Sequence, residues 1–270
     1  MFFRQNKTEK PFHRCMEQEQ LLPALAHWFE SELGKEYIQA EKQQLDDLLP
    51  DLFGFYLLQV GQLGNVDLLS ASRVSHCKVM GFLPDDLAQK GAFQGQSWAL
   101  PIQSDSIDIV VLPHTLDFSL YPHEVLREVE RVLIPEGRVL ITGFNPISSW
   151  QFWRWMLRWR NQPPLCGHFF TTLRLRDWLK LLGFDVTQKR HFFYRPPIKK
   201  KTFMQRLSFM ERLGSRFWPI TGAGYVLVAR KRVETLTPIR PRWEARKKVV
   251  GTGWAESCVP HDEKNEAVSD

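Results

Sequence analysis

Only four cysteines, Cys15, Cys77, Cys166 and Cys258, occur in 270 residues, and no two stand at C-x-x-C spacing. That excludes a disulfide framework and a zinc knuckle as the basis of the fold, and it favours a reducing compartment. No run reaches the roughly 18 uncharged apolar residues that a membrane-spanning helix requires. The opening MFFRQNKTEKPFHRC has basic residues with no apolar stretch behind them, so neither export nor membrane insertion is expected and a cytoplasmic location is. No G-x-G-x-x-G follows the first strand-like run, which removes the fingerprint of nicotinamide-dependent oxidoreductases. The aromatic RNP strand and the GXXG loop of RNA-reading modules are missing as well.

What is present is enough apolar material for one substantial core: 43% of residues are hydrophobic and 13% aromatic. The net charge of +6 is unevenly spread, because residues 189–248 hold 17 Lys or Arg against three Glu and so carry +14, leaving −8 on the rest. A cationic segment of that strength attracts anionic partners such as nucleic acid, anionic lipid or an acidic carrier, and it also reads as a solvated basic arm.

The clearest local pattern begins at SIDIVVL, residues 106–112, a β-branched run too short for a helix. YPHEVLREVERVLIPEGRVLITGF follows, with Val125, Val129 and Val132/Leu133 at helical spacing and a stop at Pro135-Glu136-Gly137. RVLITGF is then a second buried strand, so the segment is a βαβ unit, which winds right-handed into a parallel sheet. FGFYLLQVG and SHCKVMGF supply two strands upstream. LRLRDWLKLLGFDVTQKRHFFY gives a helix ended by Gly183 and a further strand, and GYVLVARKR a last one. The inventory predicts an open α/β sheet whose ligand lies beyond the carboxyl ends of the strands, where strand order reverses. Residues 61–65, LPHT after the strand at 107–112, and NPIS after the strand at 138–144 all fall there.

Residues 99–144, ALPIQSDSIDIVVLPHTLDFSLYPHEVLREVERVLIPEGRVLITGF, resemble the central stretch of type-11 class I S-adenosylmethionine-dependent methyltransferases. In that family an LPF-D-SFD segment, an apolar strand, an L-E--RVL-PGG helix end and another strand recur in this order. TTLRLRDWLKLLGFDV is similar to the helix before its sixth strand and GYVLVARK to its seventh. The GFNPIS segment at 143–148 is similar to a small proteobacterial branch of the family with a degenerate cofactor motif. The resemblance implies a Rossmann-like, seven-stranded, mostly parallel sheet with helices on both faces and the last strand antiparallel. It also implies S-adenosyl-L-methionine as cofactor. The expected organisation is a helical N-terminal extension at 1–50, a methyltransferase-like domain at 51–232, and a basic, disordered tail at 233–270.

In the family the first strand ends in an acidic residue and alternating glycines, because the cofactor lies close against the backbone and a Cβ would collide with it. Aligned here, the acid is Gln59, the first glycine is Gly61, the next two are Leu63 and Asn65, and Gly64 stands one place out of register. The acid that would hold the ribose has no counterpart in CKVMGFLPDD, although Asp85 and Asp86 follow shortly. The aspartate facing the adenine is Gln96 in GQSWALP. A carboxylate on two ribose hydroxyls contributes roughly 1.5–3 kcal/mol and a neutral amide about 1, so each loss weakens the cofactor by about tenfold. The cofactor-binding residues expected from the resemblance are Gln59, Gly61, Gly64, Gln96, Ser97, Leu112, Pro113 and His114, with no metal.

Methyl transfer from a sulfonium is an in-line displacement that depends on proximity, and a base is needed only where the nucleophile carries a proton. His114, just past the fourth strand, is the candidate catalytic residue; its alternative reading is a histidine satisfied by backbone at a strand end. Asp117, Tyr121 and His123 read as turn or cap residues. Asn145-Pro146 differs from the N-P-P-[YF] box of amino-directed methyltransferases, because it follows the fifth strand and not the fourth. Residues 149–160, SWQFWRWMLRWR, set four tryptophans among arginines. With 196–220 they are expected to form the substrate cover, spanning 149–165 on the first side. Two functions remain open: a methyltransferase for a small or lipid-like acceptor, and a catalytically inactive module of the same fold that binds nucleic acid or a partner protein through its basic arm.

Overall fold

The structure is a computed structural model that describes residues 18–62, 66–82, 92–148, 150, 167–195, 218 and 220–233. The expected cover segments 151–165 and 196–217, Asp85, Asp86, Gly64 and the basic tail lie outside the described residues.

Two helices open the chain, α1 (Gln18–Glu30) and α2 (Glu32–Leu48). Ser31 between them caps α2, its hydroxyl accepting from the Gly34 amide. Leu33, Tyr37, Ile38, Glu41, Leu45 and Leu48 line the buried side of α2 at helical spacing, and one of those six is a carboxylate. Seven strands follow: β1 (Tyr56–Val60), β2 (His76–Gly81), β3 (Ala92–Gln94), β4 (Ile107–Pro113), β5 (Leu133–Phe144), β6 (Phe184–Phe192) and β7 (Gly224–Lys231). Between them lie α3 (Thr115–Phe118), α4 (Pro122–Val132) and α5 (Thr172–Leu181).

The strands form one sheet in the order β3-β2-β1-β4-β5-β7-β6. All pairs are parallel except those of β7, which runs antiparallel to both β5 and β6. The expected sheet is therefore present, with the strands at 107–112 and 138–144 hydrogen-bonded as neighbours. The direction of succession reverses between β1 and β4, which places the crevice of an open α/β sheet at their carboxyl ends.

Alternate residues of the strands feed two cores. Leu57, Ile109, Val111, Leu140, Val226 and Val228 face α1 and α2, while Leu58, Val60, Val110, Leu112, Ile141 and Leu227 face α4 and α5. No helix is seen in the described part of the connection after β1, where residues 66–75 make only a turn closed by Ser72 N–H on the Leu69 carbonyl. Leu68 and Leu69 of this connection pack with α1 and α2, and Lys42 Nζ of α2 donates to the Asp67 carbonyl. The N-terminal helices thus cover the sheet face that the short connection leaves bare.

The boundary expected at Pro135-Gly137 falls earlier. Helix α4 ends at Val132, and β5 starts at Leu133, which pairs with Ile107 before the register shifts to Ile109 and Arg138. Glu136 takes a left-handed φ of 65° inside this irregularity, and a Cβ on Gly137 would meet the Ile134 carbonyl at 2.8 Å. The turn is absorbed into the strand as a bulge.

Candidate functional site

At the switch point β1 ends in Gly61, whose φ of 90° suits glycine and whose amide donates to the Met80 carbonyl of β2. A Cβ there would lie 2.7 Å from the Phe82 ring and 3.0 Å from Thr115 Oγ1. Gln59, in the family's acidic position, is buried and spends its side-chain amide on the Gly61 carbonyl at 2.9 Å. Thr115 Oγ1 donates to the Val60 carbonyl, which joins the ends of β1 and β4.

Beside this junction is a cavity of about 210 Å³ lined by Phe82, residues 94–98, Pro113, His114, Thr115, Phe118 and Ser119. Of the residues expected to bind the cofactor, Gln96, Ser97, Pro113 and His114 share this lining. Gly61 abuts its wall through Phe82 and Thr115. Gln59 and Leu112 are buried but do not line it. The Gln96–Trp98 edge is held from behind by α4: Glu128 accepts from the Leu100 amide at 2.9 Å, and Arg131, paired to Glu128, donates to the Leu100 and Ile102 carbonyls. Those anchors explain the glutamate on the flank of the α4 stripe.

His114 stands at the end of β4 with φ 53°, a left-handed conformation that a residue with a side chain seldom adopts. Its side chain does not reach solvent. Nδ1 lies 3.0 Å from Asp117 Oδ2, and Nε2 lies 3.5 Å from Glu41 Oε2. Asp117 also accepts from the Phe144 amide at 2.8 Å, and Glu41 accepts from Thr142 Oγ1 at 2.5 Å. Aromatic rings enclose the imidazole, with centroids at 4.2 Å for Phe144, 5.7 Å for Tyr37 and 6.0 Å for Phe29. Among the described residues no group of three such side chains converges as a metal set.

Burial by itself opposes a charge on His114, but the two flanking carboxylates outweigh it and raise the pKa to about 9. At Asp117 burial wins instead and raises the carboxyl, although His114 and the Phe144 amide pull it down. The partners pull in opposite directions; the direction the geometry supports is the imidazolium, because it has a carboxylate on each side. Burial also lifts the Tyr37 and Tyr225 phenols far up, so both stay neutral.

The remaining candidates are structural. Tyr121 is half exposed at the start of α4, and His123 packs on Trp178 at 3.9 Å. Asn145 is buried and clamps the entrance of β7: its side chain donates to the Ile220 and Gly222 carbonyls and accepts from the Ile147 amide. The residue that sequence reading missed is Glu41. Its signal was a lone carboxylate in the apolar stripe of α2.

Residues 79–141 match the methyltransferase-domain family. The uncharacterized protein YafS of Escherichia coli K12 is 32% identical over 224 residues, covering 82% of this chain and 86% of that protein. The chain belongs to the class I methyltransferase family. Solved structures share its fold at lower identity. An S-adenosylmethionine-dependent methyltransferase of Thermotoga maritima, described as a possible histamine N-methyltransferase, superposes with a TM-score of 0.58 at 17% identity, covering 79% of this chain and 98% of that one. A putative methyltransferase of Haloferax volcanii, solved with its Trm112 activator, gives 0.55 at 12% identity over 80% and 99%. The family's cofactor is S-adenosylmethionine. Among the described residues, no helix of this methyltransferase is long and apolar enough to cross a membrane.

The cavity can be tested against that cofactor. Its Phe82 and Trp98 rings, the Gln96 amide and the Ser97 hydroxyl suit a nucleoside, and the missing Cβ of Gly61 lets Phe82 and Thr115 close against the end of β1 to form the wall. Among the described residues no carboxylate lines it to clamp a ribose. The residues fit the nucleoside half of the donor, with neutral contacts where the family uses charge.

Proposed function

We propose that this chain is an S-adenosylmethionine-dependent methyltransferase acting on a small or lipid-like acceptor, with the donor held in the cavity at the ends of β1 and β4. The observation that carries the reading is the convergence of Gln96, Ser97, Pro113 and His114 on one cavity at the topological switch point. Gln96 and Ser97 bind by neutral hydrogen bonds, Phe82 and Trp98 supply ring faces and exclude water, and Gly61 admits the Phe82 ring against the strand end. The donor, when bound, supplies an electrophilic methyl group. Support for an apolar acceptor comes from Ile147 and Ile220, each more than half exposed and both tied to Asn145 just past β5.

His114 is assigned here to holding the cavity wall. A base at neutral pH must be unprotonated, whereas a ring between two buried carboxylates keeps its proton. An acceptor that presents a free lone pair, or that meets a base elsewhere, follows from this. That no ribose-clamping carboxylate stands among the described lining residues favours one second reading, a module that keeps the fold without the donor. Calorimetric titration with S-adenosylmethionine and S-adenosylhomocysteine separates the two. Micromolar to millimolar binding that is lost in Gly61→Val supports the enzyme, while no binding of either ligand to the unaltered protein supports the module.

A further inference from the structure

We propose that Glu41, reaching the sheet from the N-terminal helix α2, is a specificity-determining residue that biases the cavity toward the positively charged methyl donor and against its uncharged demethylated product. The proposal rests on the donor occupying the cavity as read above. Glu41 and Asp117 are both 1% exposed, and the cation paired with them is His114. Their other partners, Thr142 Oγ1 and the Phe144 amide, are neutral donors. Among the described residues, the remaining titratable groups against the cluster are the Tyr37 phenol of α2 and the Tyr225 phenol of β7, both uncharged. Two carboxylates therefore face one imidazolium, so the nest carries either one excess negative charge or one extra proton.

That surplus carboxylate sits directly behind the cavity. His114, Thr115 and Phe118 form its wall, and Asp117 lies between the last two in sequence. Aromatic packing by Phe29, Tyr37 and Phe144 keeps water away, so the field is weakly screened on the buried side. A unit charge within several ångströms of such a site changes affinity by about tenfold or more at an intermediate dielectric. The donor and its product differ by one methyl group and one positive charge. Their affinity ratio is therefore a direct gauge of this field, whereas a merely structural role for Glu41 would move both affinities together.

The test is calorimetric titration of the full chain and of Glu41→Gln, which keeps an acceptor for Thr142, with S-adenosylmethionine and S-adenosylhomocysteine. The ratio of donor to product affinity should fall by about tenfold in the variant, mostly through weaker donor binding. A second measurement needs no variant: in buffers of different ionisation enthalpy, the donor should displace more protons from the unaltered protein than the product does. An unchanged ratio, or both affinities falling alike, together with equal proton release, overturns the proposal and leaves the donor site standing. If neither ligand binds the unaltered protein, the donor site itself is refuted and this inference with it.

Discussion

His114 joins three physical effects at one position: a left-handed backbone, a buried ring and a carboxylate on either side. Its folded-state pKa of about 9 lies above the ordinary 6.5, so the stabilisation it brings is complete below pH 6.5 and is lost as pH rises to 9. The size is on the order of 3 kcal/mol. Urea unfolding at intervals between pH 6 and 9.5 should show that loss, and His114→Gln should show a flatter profile; equal slopes would remove the ion cluster from the stability of the fold. Two glycines make room for buried phenols nearby. A Cβ on Gly224 would sit 2.4 Å from Tyr37 Oη and 2.5 Å from the Phe192 ring. Gly224→Ala should therefore cost about 1–3 kcal/mol by overpacking. Because Tyr37 Oη has no hydrogen-bond partner among the described residues, Tyr37→Phe should cost little and should recover part of the Gly224→Ala loss. Additive losses in the thermal melts of the two single variants and the double variant would show that the hydroxyl is not the obstacle.

At the scale of elements, α2 has two tasks, since its apolar stripe covers one face of the sheet and its one buried carboxylate reaches the cavity wall. Leu45 is fully buried in that stripe, and Leu45→Ala should cost about 2–5 kcal/mol. Deleting residues 1–48 should abolish the fold, because Leu25, Phe29, Leu33, Tyr37, Ile38, Leu45 and Leu48 would all leave the core. Each such side chain contributes about 1.5–3 kcal/mol against a total stability of only 5–15 kcal/mol for a typical domain. Near-ultraviolet circular dichroism and dye binding report the outcome, and a shortened protein with native tertiary signals would show that the sheet closes that face by other means. The βαβ core around α4 is the opposite case. Its apolar spacing at Val125, Val129 and Val132 was legible, and only its exit differed, because Leu133 pairs with Ile107 before the turn residues are reached.

At the scale of the whole molecule, the chain divides into two units after Val233, the second of which, 234–270, lies outside the described residues. The basic segment from 189 to 248 straddles that division, with β7 contributing Arg230 and Lys231 to it. Lys231 is committed within the first unit, where it pairs with Asp105 and Glu130 and donates to the Glu130 and Leu133 carbonyls. Arg240, Arg242, Arg246, Lys247 and Lys248 lie in the second unit. Truncation after Val233 should leave the melting temperature of the first unit within a few degrees, as expected where a domain boundary falls. It should also lower binding to anionic vesicles and reduce its dependence on salt, since a cationic tail attracts through a screened field. Donor affinity should not change. Unaltered vesicle affinity and salt slope after truncation would leave the tail's charge to solubility alone.

The apolar runs of the sequence located six of the seven strands, because they report the burial that each segment will have, while the three-residue β3 left no such run and the seven-stranded count and the reversal of the last strand came from the family resemblance. The sequence also pointed to the correct ends of β1 and β4, since Gly61 and His114 follow strands whose pattern is unambiguous. Tertiary structure decided which of the aligned residues share a cavity: Gln96, Ser97, Pro113 and His114 do, while Gln59 turns its amide onto the Gly61 carbonyl. It also decided the charge of His114. Glu41 precedes that histidine by more than 70 positions, and nothing in the spacing of either residue records the other. Their contact exists because α2 lies on the sheet face toward which Thr142 points. Local periodicity carries the information about burial; a pair of charges is brought together by the path of the chain, and only the folded sheet holds that path.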